Sequence, residues 1–259
     1  MNILVVGGDR RMIYTVNELR RHGFSVDTLG LKEGDGGDIA AADGIILPVP
    51  VTLDGVDINC RLTGRKIPLD IIGRARAGVK IFGGGALSTE NYTDYLSLDS
   101  YTVKNAVITA EGAIYHAIEN TDFSLWKADI LVIGYGRTGK ILSERLKGFN
   151  PRLTVTARNG KDFSLLEAAG IDYLDTRQIQ NAKSRFDIVF NTVDIKLNYD
   201  VAAALSGSLF IDISTKGGFA GDAAAKNRIR YVKLPGIPGK SAPVTAGKII
   251  AETVIELLK

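Results

Sequence analysis

Three glycines spaced as Gly134-Tyr135-Gly136-Arg137-Thr138-Gly139 could let backbone amides grip a pyrophosphate, provided a strand precedes them and a helix follows. Both conditions are met in pattern. Asp129-Ile130-Leu131-Val132-Ile133 reads as a buried strand, and a helical stretch comes next. Gly134 would permit the tight turn, Gly136 would let backbone approach the phosphates, and Gly139 would let helix and strand pack closely. The next strand, expected over 152–157, ends in Arg158-Asn159. An acidic residue there would mark NAD, whereas an arginine suits the extra 2′-phosphate of NADP. NADP is therefore the expected cofactor, with NAD as the alternative.

Later strand ends supply further candidates on the same edge. Asn191-Thr192-Val193 would lie along the ribose or nicotinamide, unless it forms a plain strand-end turn. Ser214 would reach the nicotinamide, while Asp212 before it reads as a turn cap. Pro235-Gly236 would form a rigid loop over the nicotinamide, and an ordinary turn is the rival reading.

Composition narrows the classes. A chain of 259 residues with 45% apolar and 24% charged residues is an ordinary globular protein of one large or two medium domains. A net charge of +3 is too mild to argue for nucleic acid. The lone Cys60 excludes disulfides within the chain, and His22 and His116 alone argue against a zinc site. No metal is expected. With neither a signal-peptide pattern nor an apolar run of membrane-spanning length, a cytoplasmic protein is expected.

Short apolar runs alternate with amphipathic stretches throughout, which predicts an α/β fold of two doubly wound parallel-sheet domains. The second is the Rossmann NAD(P)-binding domain, and a ligand cleft is expected between the two. Boundaries are expected at residues 1–121 for an N-terminal substrate domain and 122–242 for the dinucleotide domain. The tail, 243–259, has helical periodicity and is expected to pack back on the first domain. Helices are predicted over about 11–21, 71–77 and a linking stretch 110–120. Gly34-Asp35-Gly36-Gly37-Asp38 reads as a flexible surface loop.

Several segments in order resemble the A subunit of dipicolinate synthase, a family of spore-forming bacteria. They are Gly7-Gly8-Asp9-Arg10, Leu47-Pro48-Val49-Pro50, Ala110-Glu111-Gly112, the glycine turn, and Leu234-Pro235-Gly236-Ile237-Pro238-Gly239-Lys240-Ser241-Ala242-Pro243-Val244-Thr245-Ala246-Gly247. The last is the most specific of them. The resemblance spans nearly the whole chain, which is shorter than the family pattern between Thr52 and Ile67. It implies an NADP-linked oxidation on a branch of the lysine (diaminopimelate) pathway during sporulation, in the mother cell. A dihydro- or hydroxytetrahydro-dipicolinate precursor would become dipicolinate. The resemblance also implies a partner, the second, flavoprotein-like synthase subunit.

A dicarboxylate substrate calls for cationic donors. Arg10 is the first candidate, following a strand at the domain edge. Arg11 is the second, with a solvated role equally open. Pro48 and Val49 are taken as substrate contacts with them, and Thr109 opens the linking helix beside them. Ser241 and Thr245 would donate to a carboxylate near the last helix, although Thr245 also reads as a helix cap. No acid or base declares itself. Glu111 and His116 are the catalytic candidates; a first-turn charge and a packing histidine are the respective rivals. Two functions remain as alternatives: another small-acid NAD(P) dehydrogenase, and an NADP-sensing module without turnover. A homo-oligomer is also open.

Overall fold

A computed structural model of the chain describes residues 1–182 and 185–259. In chain order, the first elements are β1 (Asn2–Val6), α1 (Arg10–Arg21), β2 (Ser25–Leu29), β3 (Gly44–Ile46), β4 (Lys80–Gly83), β5 (Tyr92–Asp94) and α2 (Asp99–Glu119). Then come β6 (Asp129–Ile133), α3 (Arg137–Lys147), β7 (Arg152–Ala157), α4 (Gly160–Ala168), β8 (Asp172–Asp175) and β9 (Ile188–Asn191). The remainder is β10 (Lys196–Leu197), α5 (Tyr199–Ala204), β11 (Leu209–Asp212), β12 (Gly218–Phe219), α6 (Ala223–Lys226), β13 (Arg230–Lys233), α7 (Ile237–Ser241) and α8 (Pro243–Leu258).

The chain divides into two compact units. The first comprises Met1–Asn105 and Pro238–Lys259, and the second Ala106–Ile237. These divisions fall earlier than the sequence boundaries at 121 and 242. The physical reason lies in α2, where the sequence pattern starts a helix only at Ala110. The helix begins at Asp99, and its second half packs Ala110, Ala113, Ile114 and Ala117 into the core of the second unit.

The first unit has five parallel strands in the order β2-β1-β3-β4-β5. Construction reverses between β1 and β3, and the carboxyl edge at such a reversal is where sheets of this kind bind ligands. Leu4, Val6, Ile45, Leu47 and Ile81 fill one face. Helix α8 packs on α1 within this unit; Thr15 Oγ1 donates to the Gly247 carbonyl at 3.0 Å.

Two local expectations change here. In place of a helix over residues 71–77, a 3₁₀ turn over Leu69–Arg74 is observed. The Gly34–Asp38 stretch is a built structure instead of a loose loop. Asp35 is buried, and its carboxylate accepts the amides of Gly30, Leu31 and Lys32 at 2.7–3.1 Å. Burial raises that carboxyl, yet those backbone donors outweigh burial and hold it below its ordinary range.

In the second unit six parallel strands run β13-β11-β9-β6-β7-β8, reversing between β6 and β9. Its central strands β6, β9 and β11 are near-continuous apolar runs because both faces are covered. Ile130, Val132, Val155 and Phe190 face α2 and α3, whereas Leu131, Ile133, Val189 and Phe210 face the opposite layer.

Candidate functional site

Each unit carries a strand–turn–helix segment at its switch point, and the two are built differently. In the second unit Gly134 has φ +100° and donates its amide to Thr156 Oγ1 at 3.0 Å. A methyl group at Gly139 would stand 2.0 Å from the Gly134 carbonyl oxygen, so no larger residue fits there. Gly136 is the N-cap of α3 and supplies no side-chain cap; a methyl group there would meet nothing within 4 Å. The N-cap residue of α3 thus offers no side chain to the helix start, as at helix starts that receive an anion. Arg137 is exposed, Thr138 and Tyr135 are half-buried, and Lys140 lies over the Tyr135 ring at 5.0 Å.

Arg158 is exposed just past β7, opposite the end of β8 where Asp175 sits. Asn159 caps α4: its Oδ1 accepts the Asp162 amide at 2.9 Å, which commits that side chain to the helix. Arg177 grips Asp175 with its guanidinium and holds the carboxyl at about 2, with the charge of Arg158 adding to the effect.

The residues after β9 and β11 serve a purpose that sequence reasoning missed. Asp212 is fully buried at the carboxyl end of β11, in register with Asn191 of β9 and Lys233 of β13. Its Oδ1 accepts from Asn191 Nδ2 at 3.0 Å, from the Ser214 amide at 3.0 Å and from Ser214 Oγ at 2.5 Å. Its Oδ2 accepts from Tyr231 OH at 2.6 Å and Lys233 Nζ at 2.8 Å. Burial raises the Asp212 carboxyl, but Lys233, Ser214 and Tyr231 outweigh burial and leave it below its ordinary range. Asn191 and Ser214, expected along the cofactor, thus spend their polar atoms inside this network. Asn191 Nδ2 also donates to the Val193 carbonyl at 3.1 Å, and Val193 packs on Gly134, where a methyl group would meet its Cγ1 at 2.4 Å. Thr192 Oγ1 donates to the Ile133 carbonyl at 2.9 Å. A signal existed: Tyr231 and Lys233 are two apart on one strand and so share a face.

Pro235 and Gly236 are exposed, and Gly236 has φ +69°. Glu111 is exposed on α2 with Arg145 Nη2 at 3.7 Å from its Oε1. His116 Nδ1 lies 3.1 Å from Glu119 Oε2 in the same helix. Thr109 is half-buried on α2.

At the first unit's switch point the helix start is already filled. Asp9 is the N-cap of α1, and its Oδ1 accepts the Arg11 amide at 3.0 Å. Arg11, read as solvated or substrate-binding, is only 7% exposed. Its Nε and Nη2 donate to the two Asp9 carboxylate oxygens at 2.8 Å, and Nη2 also donates to the Val49 carbonyl. For the Asp9 carboxyl, burial raises and the Arg11 hydrogen bond lowers, with a net fall below the ordinary value. Arg10, the first candidate, is exposed at the first residue of α1. Pro48 is buried and Val49 half-buried on the facing loop. Ser241 and Thr245 are exposed around the start of α8, and Gly239 lies against Asp9 and Arg11.

Known proteins share this fold. Residues 2–94 match the family model of the N-terminal domain of the dipicolinate synthase A subunit. The dipicolinate synthase A subunit of Bacillus subtilis (strain 168) is 26% identical over 100% of this chain and 96% of its own. The chain resembles that A subunit from end to end. The crystal structure of the A subunit from Bacillus halodurans superposes with a TM-score of 0.89 at 23% identity, covering 99% of this chain and 97% of the other. D-lactate dehydrogenase from Escherichia coli shares the fold at a TM-score of 0.65 and 16% identity, over 100% and 96% of the two chains. The two parallel-sheet α/β domains are thus those of a dehydrogenase-type fold. Among the described residues no helix is long and apolar enough to cross a membrane, and no cluster of potential metal ligands occurs.

Proposed function

We propose that the chain is an NADP-dependent dehydrogenase that aromatises a partly reduced pyridine ring bearing two carboxylates, giving pyridine-2,6-dicarboxylate. One observation carries this reading: α3 starts at a glycine cap, with Arg158 at the end of the neighbouring strand. The α3 amides would hold the pyrophosphate, and the Arg158 guanidinium would meet the 2′-phosphate. Gly134, Tyr135, Gly136, Arg137, Thr138 and Gly139 form the turn that receives it, with Thr192 and Val193 beside it and Pro235-Gly236 over the nicotinamide end. When bound, the oxidised nicotinamide supplies the hydride acceptor.

The chain's own task is to bind, orient and exclude water. A dihydropyridine loses one hydride and one proton, and aromaticity provides much of the driving force, so a strong base is unnecessary. Glu111, beside Arg145, is our candidate for receiving the proton, with His116 the other. The Bacillus subtilis relative is named for one component of a synthase, which implies at least one companion. We propose a flavoprotein-like companion for this chain too, in the cytoplasm of a sporulating mother cell.

The test mixes the purified chain, NADP and the reduced ring precursor, with and without the second subunit. Appearance of NADPH together with pyridine dicarboxylate absorbance is expected. NADP binding with no turnover under either condition would favour a nucleotide-sensing module, and absence of NADP binding would refute both readings.

A further inference from the structure

Two polar side chains at the first unit's switch point have atoms that the protein itself leaves unused. Arg11 directs Nε and Nη2 to Asp9 and Val49, and among the described residues its Nη1 makes no hydrogen bond. Asn59, 6% exposed, donates Nδ2 to the Pro50 carbonyl at 3.1 Å, which fixes the orientation of its amide. Its Oδ1 is then a buried acceptor with no donor. A buried acceptor left alone is destabilising, so a donor supplied by a ligand is favoured there.

Both groups hold the same short loop, at consecutive carbonyls. Arg11 holds the Val49 carbonyl and Asn59 the next carbonyl, Pro50, while the Asn59 backbone oxygen accepts the Gly8 amide at 2.6 Å. The loops after β1 and β3 are thereby stitched together at the carboxyl edge where construction reverses. Pro50 is exposed and forms the rim. Asp9 fixes the guanidinium in plane, so a carboxylate meeting Nη1 would find it already ordered.

We infer that this switch point binds a small acid whose carboxylate meets Arg11 Nη1 and whose adjoining N–H or O–H donates to Asn59 Oδ1. A carboxylate alone would satisfy the arginine and leave the amide oxygen orphaned. A saturated or partly reduced ring acid with a donor next to its carboxylate satisfies both. An aromatic pyridine nitrogen instead presents a lone pair to Oδ1. The site therefore holds the reduced ring more tightly than the aromatic one, which favours release once the ring is oxidised. This last step rests on the proposed dehydrogenase function; the carboxylate site does not.

Calorimetry on the full chain without NADP tests it, using piperidine-2,6-dicarboxylate and pyridine-2,6-dicarboxylate as probes, with NADP titrated separately. The saturated acid should bind more tightly. Arg11→Lys keeps a charge beside Asp9 and should weaken both acids by about tenfold or more, leaving NADP affinity unchanged. Asn59→Leu should weaken the saturated acid by about tenfold and leave the aromatic acid within about twofold. If Arg11→Lys does not fold, by thermal melting, the Asn59→Leu comparison decides. Equal effects on both acids from Asn59→Leu, a folded Arg11→Lys protein with wild-type acid binding, or no acid binding by the wild type would each overturn the inference. Failure of NADP alone to bind would instead strike the dehydrogenase reading.

Discussion

Both units place a strand, a glycine turn and a helix at the point where their sheets reverse, yet the two helix starts have opposite character. In the first, Asp9 caps α1 with its own carboxylate, and Arg11 neutralises it. In the second, Gly136 has no side chain to offer, so the α3 amides lack such a cap. A self-capped helix start repels a further anion and leaves only the buried guanidinium as a recognition group. A bare one is ready for a phosphate. Under the proposed readings, one residue type at the cap separates a carboxylate site from a dinucleotide site on the same local topology.

The largest effect should come from Gly139→Ala. With a methyl group 2.0 Å from the Gly134 oxygen, the backbone must shift, and a loss of about 3 kcal/mol or more is expected in denaturant unfolding, together with loss of NADP binding. Retention of both would dissolve the close-packed turn. Asp9→Asn should follow, costing about 3 kcal/mol, because the 7% exposed Arg11 loses its counter-charge. Arg158→Ala should lower NADP affinity about tenfold and leave NAD affinity unchanged, read by fluorescence titration. Equal loss for both cofactors would remove Arg158 from the 2′-phosphate.

Acid stability compares the units more gently. Asp9 and Asp212 both have folded-state values below the unfolded carboxylate value, which is about 3.9. Their stabilisation is therefore complete above that value and is lost as pH falls through the depressed folded values. The denaturant midpoint should stay flat from about pH 7 to 5 and fall below about pH 4. A midpoint that rises on acidification would contradict these assignments. Smallest of all, Arg10→Ala should change dicarboxylate affinity by less than about threefold, because Arg10 is exposed where Arg11 is buried.

Much of the fold was legible because strands covered on both faces are written as unbroken apolar runs, and Gly134 to Gly139 declares its turn locally. What escaped the sequence depends on neighbours far away in the chain. Asp212, Asn191 and Lys233 meet only because β9, β11 and β13 lie side by side in register. Asp35 sits in a glycine-rich stretch that looks loose, yet amides of Gly30 to Lys32 enclose its carboxylate. Arg10 and Arg11 are indistinguishable by type; only the position of Asp9 and the Val49 carbonyl turns the second one inward.

The contrast between the two helix starts is tested most directly by Gly136→Asp, which gives α3 the cap that α1 already has. The site has open space around Gly136, so the thermal transition should hold. NADP affinity should fall by about tenfold or more as the new carboxylate occupies the amides, while dicarboxylate binding stays intact. Unchanged NADP binding by the folded variant would contradict the account.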